Sequence, residues 1–451
     1  MKKDLKTLLG AAAILGSMSA TIVYALDIDT PDEPPISAST TFNEVVNVTR
    51  NGILTIDNEV TVTINDKLTN NHTINNNGNI VANEILNASS IKHTDNVGIS
   101  SITINNGGEN QGILTQDKIT LAGGTFKNSG SISASQLFEI ASGAKFENSQ
   151  KVLTSNNFIN NGTTTNNSII NTNKNLNNSS IINGTGAINI SNGNNSGSII
   201  QNNIIISGDI ENTNEITSNN NFTNNGNVTG DSGKLTVTNG TNSSSITQSK
   251  LTISNNIGFK NATGGVISAE IENSGNFTNN GLIGSAVSNK DFTNNGTFTN
   301  NGDVFVNDLE NSSKIENNKN IISSGKFTNT SEITGNAGNL TVVDGTNSGN
   351  ITQSKLTISN NTGFENAAGG VISAEIENNG KFTNAGTIGS ANSAKDFTNN
   401  GSFTNTGDVF VNKLTNNTNS TLDGAGNLMI ASGLNSGSIA QNILTITGKA
   451  G

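Results

Sequence analysis

Few residues in this chain are equipped for chemistry. His72 and His93 are the only imidazoles, and Asp95 follows the second by two positions. A Ser-His-Asp relay needs a nucleophile on a strained turn and an oxyanion hole, and the sequence signals neither. The two histidines stand 21 residues apart, close to one turn of the repeat described below. Stacked rings there would offer a weak metal site; the plainer expectation is two surface residues. Among carboxylates, Glu270 and Glu272 alternate so as to share a face, and Glu375 and Glu377 repeat them. Asp303 has an acidic counterpart in Asp408, whereas Asp308 is replaced by Lys413. Glycan-cleaving sites need clustered carboxylates in one groove. An acidic pair that recurs along a chain reads instead as a solvated face. Gly107-Gly108 and Gly123-Gly124 lack the Asp of a calcium-binding nonapeptide repeat. No catalytic residue, metal or cofactor is expected. Asn-x-Ser/Thr triplets such as Asn161-Gly162-Thr163 and Asn276-Phe277-Thr278 follow from composition alone.

That composition is unusual. The 451 residues carry a net charge of −11, no Cys, no Trp, three Pro and 49 Gly, and about a fifth are Asn. Disulfides, thiolate nucleophiles and Cys-ligated metals are excluded. Charged residues are 13%, against about 25% in ordinary soluble domains. Arg50 is the one arginine, which argues against a nucleic-acid partner. Leu, Ile, Val and Phe are still frequent enough to build a core.

The chain opens as an address label. Lys2, Lys3 and Lys6 precede an apolar run that ends at Ala25, and cleavage between Ala25 and Leu26 is expected. A signal peptide at 1–25 implies export. Residues 26–41 hold all three prolines (Pro31, Pro34 and Pro35) and several acids, and read as an extended linker without a core. No proline follows Phe42, as continuous backbone ladders require.

From 42 to 448 the chain repeats at two scales. Single apolar residues recur every sixth position, as at Phe292, Phe298 and Val304, with Asn-Gly turns between them such as Asn295-Gly296 and Asn400-Gly401. Six fits no helical period; it fits a short strand and a turn, three of which make a coil of about 17–20 residues. The longer scale is a block G-x-L-x-V-x-x-G-x-N-S-x-x-I-x-Q-x-x-L-x-I, starting at Gly186, Gly233, Gly338 and Gly426. Segments 233–309 and 338–414 are copies offset by 105 residues, and shorter copies lie at 186–206 and 426–446. Leu235/Leu340, Phe259/Phe364 and Phe298/Phe403 survive duplication, whereas Ile257 became Thr362 and Val287 became Asn392. The spacing from Gly338 to Gly426 is shorter than from Gly233 to Gly338 by about one coil, a loss that a stack of coils tolerates.

These patterns predict an all-β chain, a single-stranded parallel β-helix, right-handed in preference to left-handed because insertions around 283–292 and 304–315 break a strict hexapeptide. Apolar columns would fill the inside, and corner asparagines would hydrogen-bond along the stack.

Repeats such as KFTNAGTI, NFTNNGNV and DFTNNGSF behind a signal peptide resemble passenger regions of bacterial autotransporters and filamentous-haemagglutinin-type adhesins. The resemblance implies display at the outer membrane of a Gram-negative cell. It also implies adhesion to host or neighbouring-cell glycans or proteins, or self-association. No alternating, aromatic-girdled barrel strands occur up to Gly451, residues 449–451 read as a tail or truncation point, and an outer-membrane translocator is the implied partner if the full-length protein has one. A passive stalk and a polysaccharide lyase or hydrolase are the alternatives.

Overall fold

The computed structural model describes residues 25–448 apart from Asn96, Lys151 and Val152. Among these residues the chain forms 44 strands and no helix. It divides into two compact units, 1–220 and 221–451, and each is a parallel β-solenoid. The expected signal segment 1–24 lies outside the described residues. Ala25 is exposed and Leu26 opens the strand Leu26–Ile28.

The six-residue spacing becomes a strand of the form x-apolar-x-Asn. In Thr297–Asn300 the side chains of Phe298 and Asn300 point inward while Thr297 and Thr299 face out. A coil such as 303–317 contributes three such pairs of inward positions, which stack into columns. In the first unit one column runs Val62, Ile80, Ile102, Ile119, Phe138, Phe158 and Leu176 through successive parallel registers. In the second, Phe259, Phe277, Phe298, Ile315, Ile333 and Ile351 do the same. Phenylalanines meet where columns adjoin: Phe292 and Phe298 are edge-on, with centroids 4.8 Å apart, and Phe397 and Phe403 repeat that contact at 4.8 Å.

Coils are less uniform than the expected 17–20 residues. Steps between equivalent side chains reach 23 residues, from Asn87 to Asn110, where the loop 93–100 is inserted at a corner. The shortest coils carry the long repeat block: Leu235 pairs with Leu251 and Leu340 with Leu356, only sixteen residues on. Their second glycine lies in the core. Gly345 occupies a core column between Phe327 and Phe364, and the two rings approach to 6.0 Å across it. Its φ is +129°, and a Cβ would lie 1.8 Å from the Phe327 carbonyl oxygen, so only glycine fits.

The duplication and its missing coil are visible in the register of the second unit. Val304 pairs with Ile321, which pairs with Leu340; in the second copy Val409 pairs directly with Leu428. One whole coil has gone and the stacking is intact.

Residues 26–41, expected to lack a core, contribute to the first coils. Leu26, Ile28 and Ile36 are buried, and Leu26–Ile28 pairs in parallel with Val46–Val48. Pro31 lies in the intervening turn and Pro34 and Pro35 in the irregular stretch after it, where no ladder N–H is needed.

Candidate contact surfaces

Two residues after many of the apolar rungs, inward asparagines form ladders in the interior. Asn70 donates Nδ2 to Asn87 Oδ1 at 2.7 Å, and Asn87, Asn110, Asn128 and Asn148 continue in the same sense to Asn166. In the second unit an unbroken ladder runs Asn273, Asn294, Asn311, Asn329, Asn347, Asn366, Asn384 and Asn405 at 2.7–2.9 Å. The second proton of many of these amides reaches a backbone carbonyl, as from Asn300 to Asn320 at 3.2 Å. The ladder asparagines are essentially inaccessible to solvent. Such a satisfied amide stabilises modestly, whereas removing one partner leaves buried polar atoms unpaired.

Some ladders skip a coil. Asn166 bonds Gln201, Asn317 bonds Gln353 and Asn76 bonds Gln116, each at 2.7–2.8 Å across one intervening coil. In the first two cases the intervening rung is a glycine, Gly184 or Gly335, with φ near +130°. A Cβ there would strike the backbone oxygen of the asparagine below, at 2.2 and 1.8 Å. Without a side chain, the longer Gln reaches past. This is the role of Gln201 and Gln353, the Gln of two copies of the repeat block.

In the third case the intervening rung is His93. Its Nδ1 lies 3.1 Å from Asp117 and its Nε2 3.3 Å from Asp95, and its side chain is only 14% exposed, so the expectation of a surface histidine is corrected. Asp117 also accepts from the Ser100 backbone at 2.9 Å and from the hydroxyls of Ser100 and Ser135. Burial raises the Asp117 carboxyl, but the hydrogen bonds from Ser135 and Ser100, with the charge of His93, outweigh it and hold the group below its ordinary value. The cluster pins the loop 93–100 to the coil above. His72 does not stack on His93; its Nδ1 lies 3.2 Å from the Gly52 carbonyl oxygen. Among the described residues no group of three or more His, Cys, Asp or Glu is placed to hold a metal ion.

The acidic pairs lie outward, each met by a lysine from the coil below. Lys250 sits 2.7 Å from Glu272 and 3.5 Å from Glu270; Lys355 sits 2.5 Å from Glu377. Asp303 accepts from Lys319 and Asn320, and Asp308 caps the Lys326 backbone N–H. Beside each pair a loop leaves the coil, carrying Val287 in one copy and Asn392 in the other; Val287 is 97% exposed. At its foot Asn307 donates to Asp291 at 2.9 Å, and Asn412 donates to Asp396 at 2.8 Å. A groove of about 670 Å³ lies at the second of these places, lined by Glu375, Lys395, Asp396 and Asn412. In the first unit a groove of about 640 Å³ crosses several coils, lined by Leu137, Ile159, Asn157, Asn175, Asn177 and Asn194. Further exposed apolar side chains are Val97 and Ile99 in the loop 93–100, and Leu434, Ile443, Leu444 and Ile446.

Among the described residues no helix is long and apolar enough to cross a membrane. Comparison with family models, with curated proteins and with solved structures returned no match. What fold and ladders define is a class: parallel β-solenoids with interior asparagine ladders, a frame compatible with an Asn-rich β-helix passenger.

Proposed function

We propose that this chain is an exported solenoid displayed at the surface of a Gram-negative cell, where it works by contact: adhesion to glycans or proteins of a host or neighbouring cell, or self-association. One observation carries the reading. The second unit presents the same outward constellation twice, Lys250 with Glu270 and Glu272 beside Asp291–Asn307, then Lys355 with Glu375 and Glu377 beside Asp396–Asn412. Two equivalent weak sites on one frame give avidity well above either affinity. The lysine contacts also bear on the glycan-cleaving alternative. The hydrogen bond from Lys355 holds the Glu377 carboxyl below its ordinary value, which suits a contact face better than a general acid.

The test removes one copy. Deleting 233–337 joins Ser232 to Gly338, which takes the place of Gly233 in an equivalent coil. Full-length and deleted proteins are compared for retention on immobilised cell-surface glycans, on whole cells and on the protein itself. Loss of retention beyond twofold on one of these supports multivalent contact. Equal retention, or none by either protein, sinks it and favours a passive stalk.

A further inference from the structure

Nine Asn-Asn-Gly turns punctuate the chain, and the structure sorts them into groups of different chemical durability. In eight of them the first Asn belongs to an inward rung, whereas Asn105 is exposed; in all nine the second Asn precedes glycine. At Gly226, Gly281, Gly302 and Gly380 the glycine N–H donates to the Oδ1 of the first Asn, at 3.2–3.3 Å. At Gly296 and Gly401, half-buried residues at equivalent places in the two copies, the N–H has no partner among the described residues. The remaining three glycines, Gly78, Gly107 and Gly162, are buried.

We infer that Asn295 and Asn400 are sites of spontaneous deamidation, and that the ladder asparagines shield Asn225, Asn280, Asn301 and Asn379 from it. The reaction requires the glycine nitrogen to lose its proton to hydroxide. That nitrogen's electron pair attacks Cγ of the preceding Asn, the Cγ–Nδ2 bond breaks, and ammonia leaves after taking a proton from water. Water then opens the resulting succinimide to aspartate or isoaspartate, with no other co-reactant. A glycine N–H already donating to an Oδ1 must first break that bond. One hydrogen bond of ordinary net strength corresponds to roughly fivefold in rate.

Side-chain restraint orders the two reactive sites. Asn400 donates Nδ2 to Asn379 at 2.7 Å and accepts from Asn417. Asn295 accepts only the Ser312 hydroxyl, at 2.6 Å, and its Nδ2 has no partner among the described residues. Asn295 therefore reacts first. Asn225 separates the two influences: its glycine N–H is engaged, yet its own side chain has no partner among the described residues.

The experiment incubates the folded full chain at mildly alkaline pH in ¹⁸O-labelled water and follows each turn by peptide mapping with fragment-ion localisation. A parallel sample is held unfolded in urea. The expected result is loss of ammonia at Asn295 and Asn400 about fivefold or more faster than at Asn225, Asn280, Asn301 and Asn379, with the difference collapsing in urea. If Asn225 keeps pace with Asn295 in the folded protein, side-chain freedom governs and the assignment is overturned. Equal rates at all six sites, or a contrast that persists in urea, overturn it as well.

Discussion

Asn317 donates its side-chain amide to Gln353 at 2.7 Å, and the two belong to coils that are not neighbours. The coil between them offers Gly335 at that rung, and its missing side chain opens the passage. Replacing Gln353 with Ala leaves a buried amide proton of Asn317 unpaired, at an expected cost of about 1–3 kcal/mol. Gln353→Asn is expected to fare no better, because the side chain is one methylene short. Urea midpoints of the two variants check both statements.

Gly345→Ala and Gly369→Ala separate steric conflict from backbone preference. Both glycines have positive φ, +129° and +89°. The added Cβ meets the Phe327 oxygen at 1.8 Å in the first case and nothing within 4 Å in the second. Gly369→Ala is expected to cost about 1–2 kcal/mol from the left-handed backbone alone. Gly345→Ala should cost clearly more, because the Phe327–Phe364 contact must also open. Thermal melts of the two variants decide; equal losses would contradict the packing argument.

The exposed ion pairs should matter less than the interior amides. Lys355 and Glu377 are each about one-third exposed, so Lys355→Met is expected to change stability by less than about 1 kcal/mol, and by less still in high salt. Asn300→Ala removes the acceptor of Asn279 and of the Gly302 N–H, and the donor to Asn317, all in the interior. It should cost several times as much. Side-by-side urea titrations at low and high salt give the comparison.

Acid should loosen the loop 93–100 before it unfolds the first unit. The Asp117 carboxyl is lowered in the folded chain, so its contribution is complete above the ordinary carboxylate value and is lost as pH falls through the lowered one. The Ser100 amide, which donates to Asp117 at 2.9 Å, reports the event. Protection of the Ser100 amide, its exchange relative to an unstructured chain at the same pH, should be high above the ordinary carboxylate value and fall below the lowered one. In Asp117→Ala that protection should be low at every pH.

Much of this architecture was legible because the chain repeats. The spacing of Phe292, Phe298 and Val304 announced rungs, and the surviving apolar positions in the two copies marked the inside. The whole-coil loss between Val409 and Leu428 was readable from block spacing alone. Asparagine ladders were expected at corners, but rungs such as Asn300 lie in the interior, because an amide bonded above and below has no remaining need of water. The Gln of the long block was visible as a recurring letter, and its reach past a missing rung was not. That function depends on Gly335, eighteen residues away in sequence and adjacent only after coiling. Residues 26–41 misled through their prolines, since the apolar pattern of Leu26, Ile28 and Ile36 is too sparse to outweigh turn-forming neighbours. The capture of His93 between Asp95 and Asp117 depends on an inserted loop that no spacing rule supplies.

The vanished coil of the second copy has a consequence for how such a gene changes. Leu428 lands on Val409 in the same register as Leu340 on Ile321. An unequal crossover that removes or adds one repeat therefore returns a chain whose cut faces still match. Height becomes a quantity that recombination can adjust in single steps, while the cross-section and its chemistry pass unchanged to the next generation.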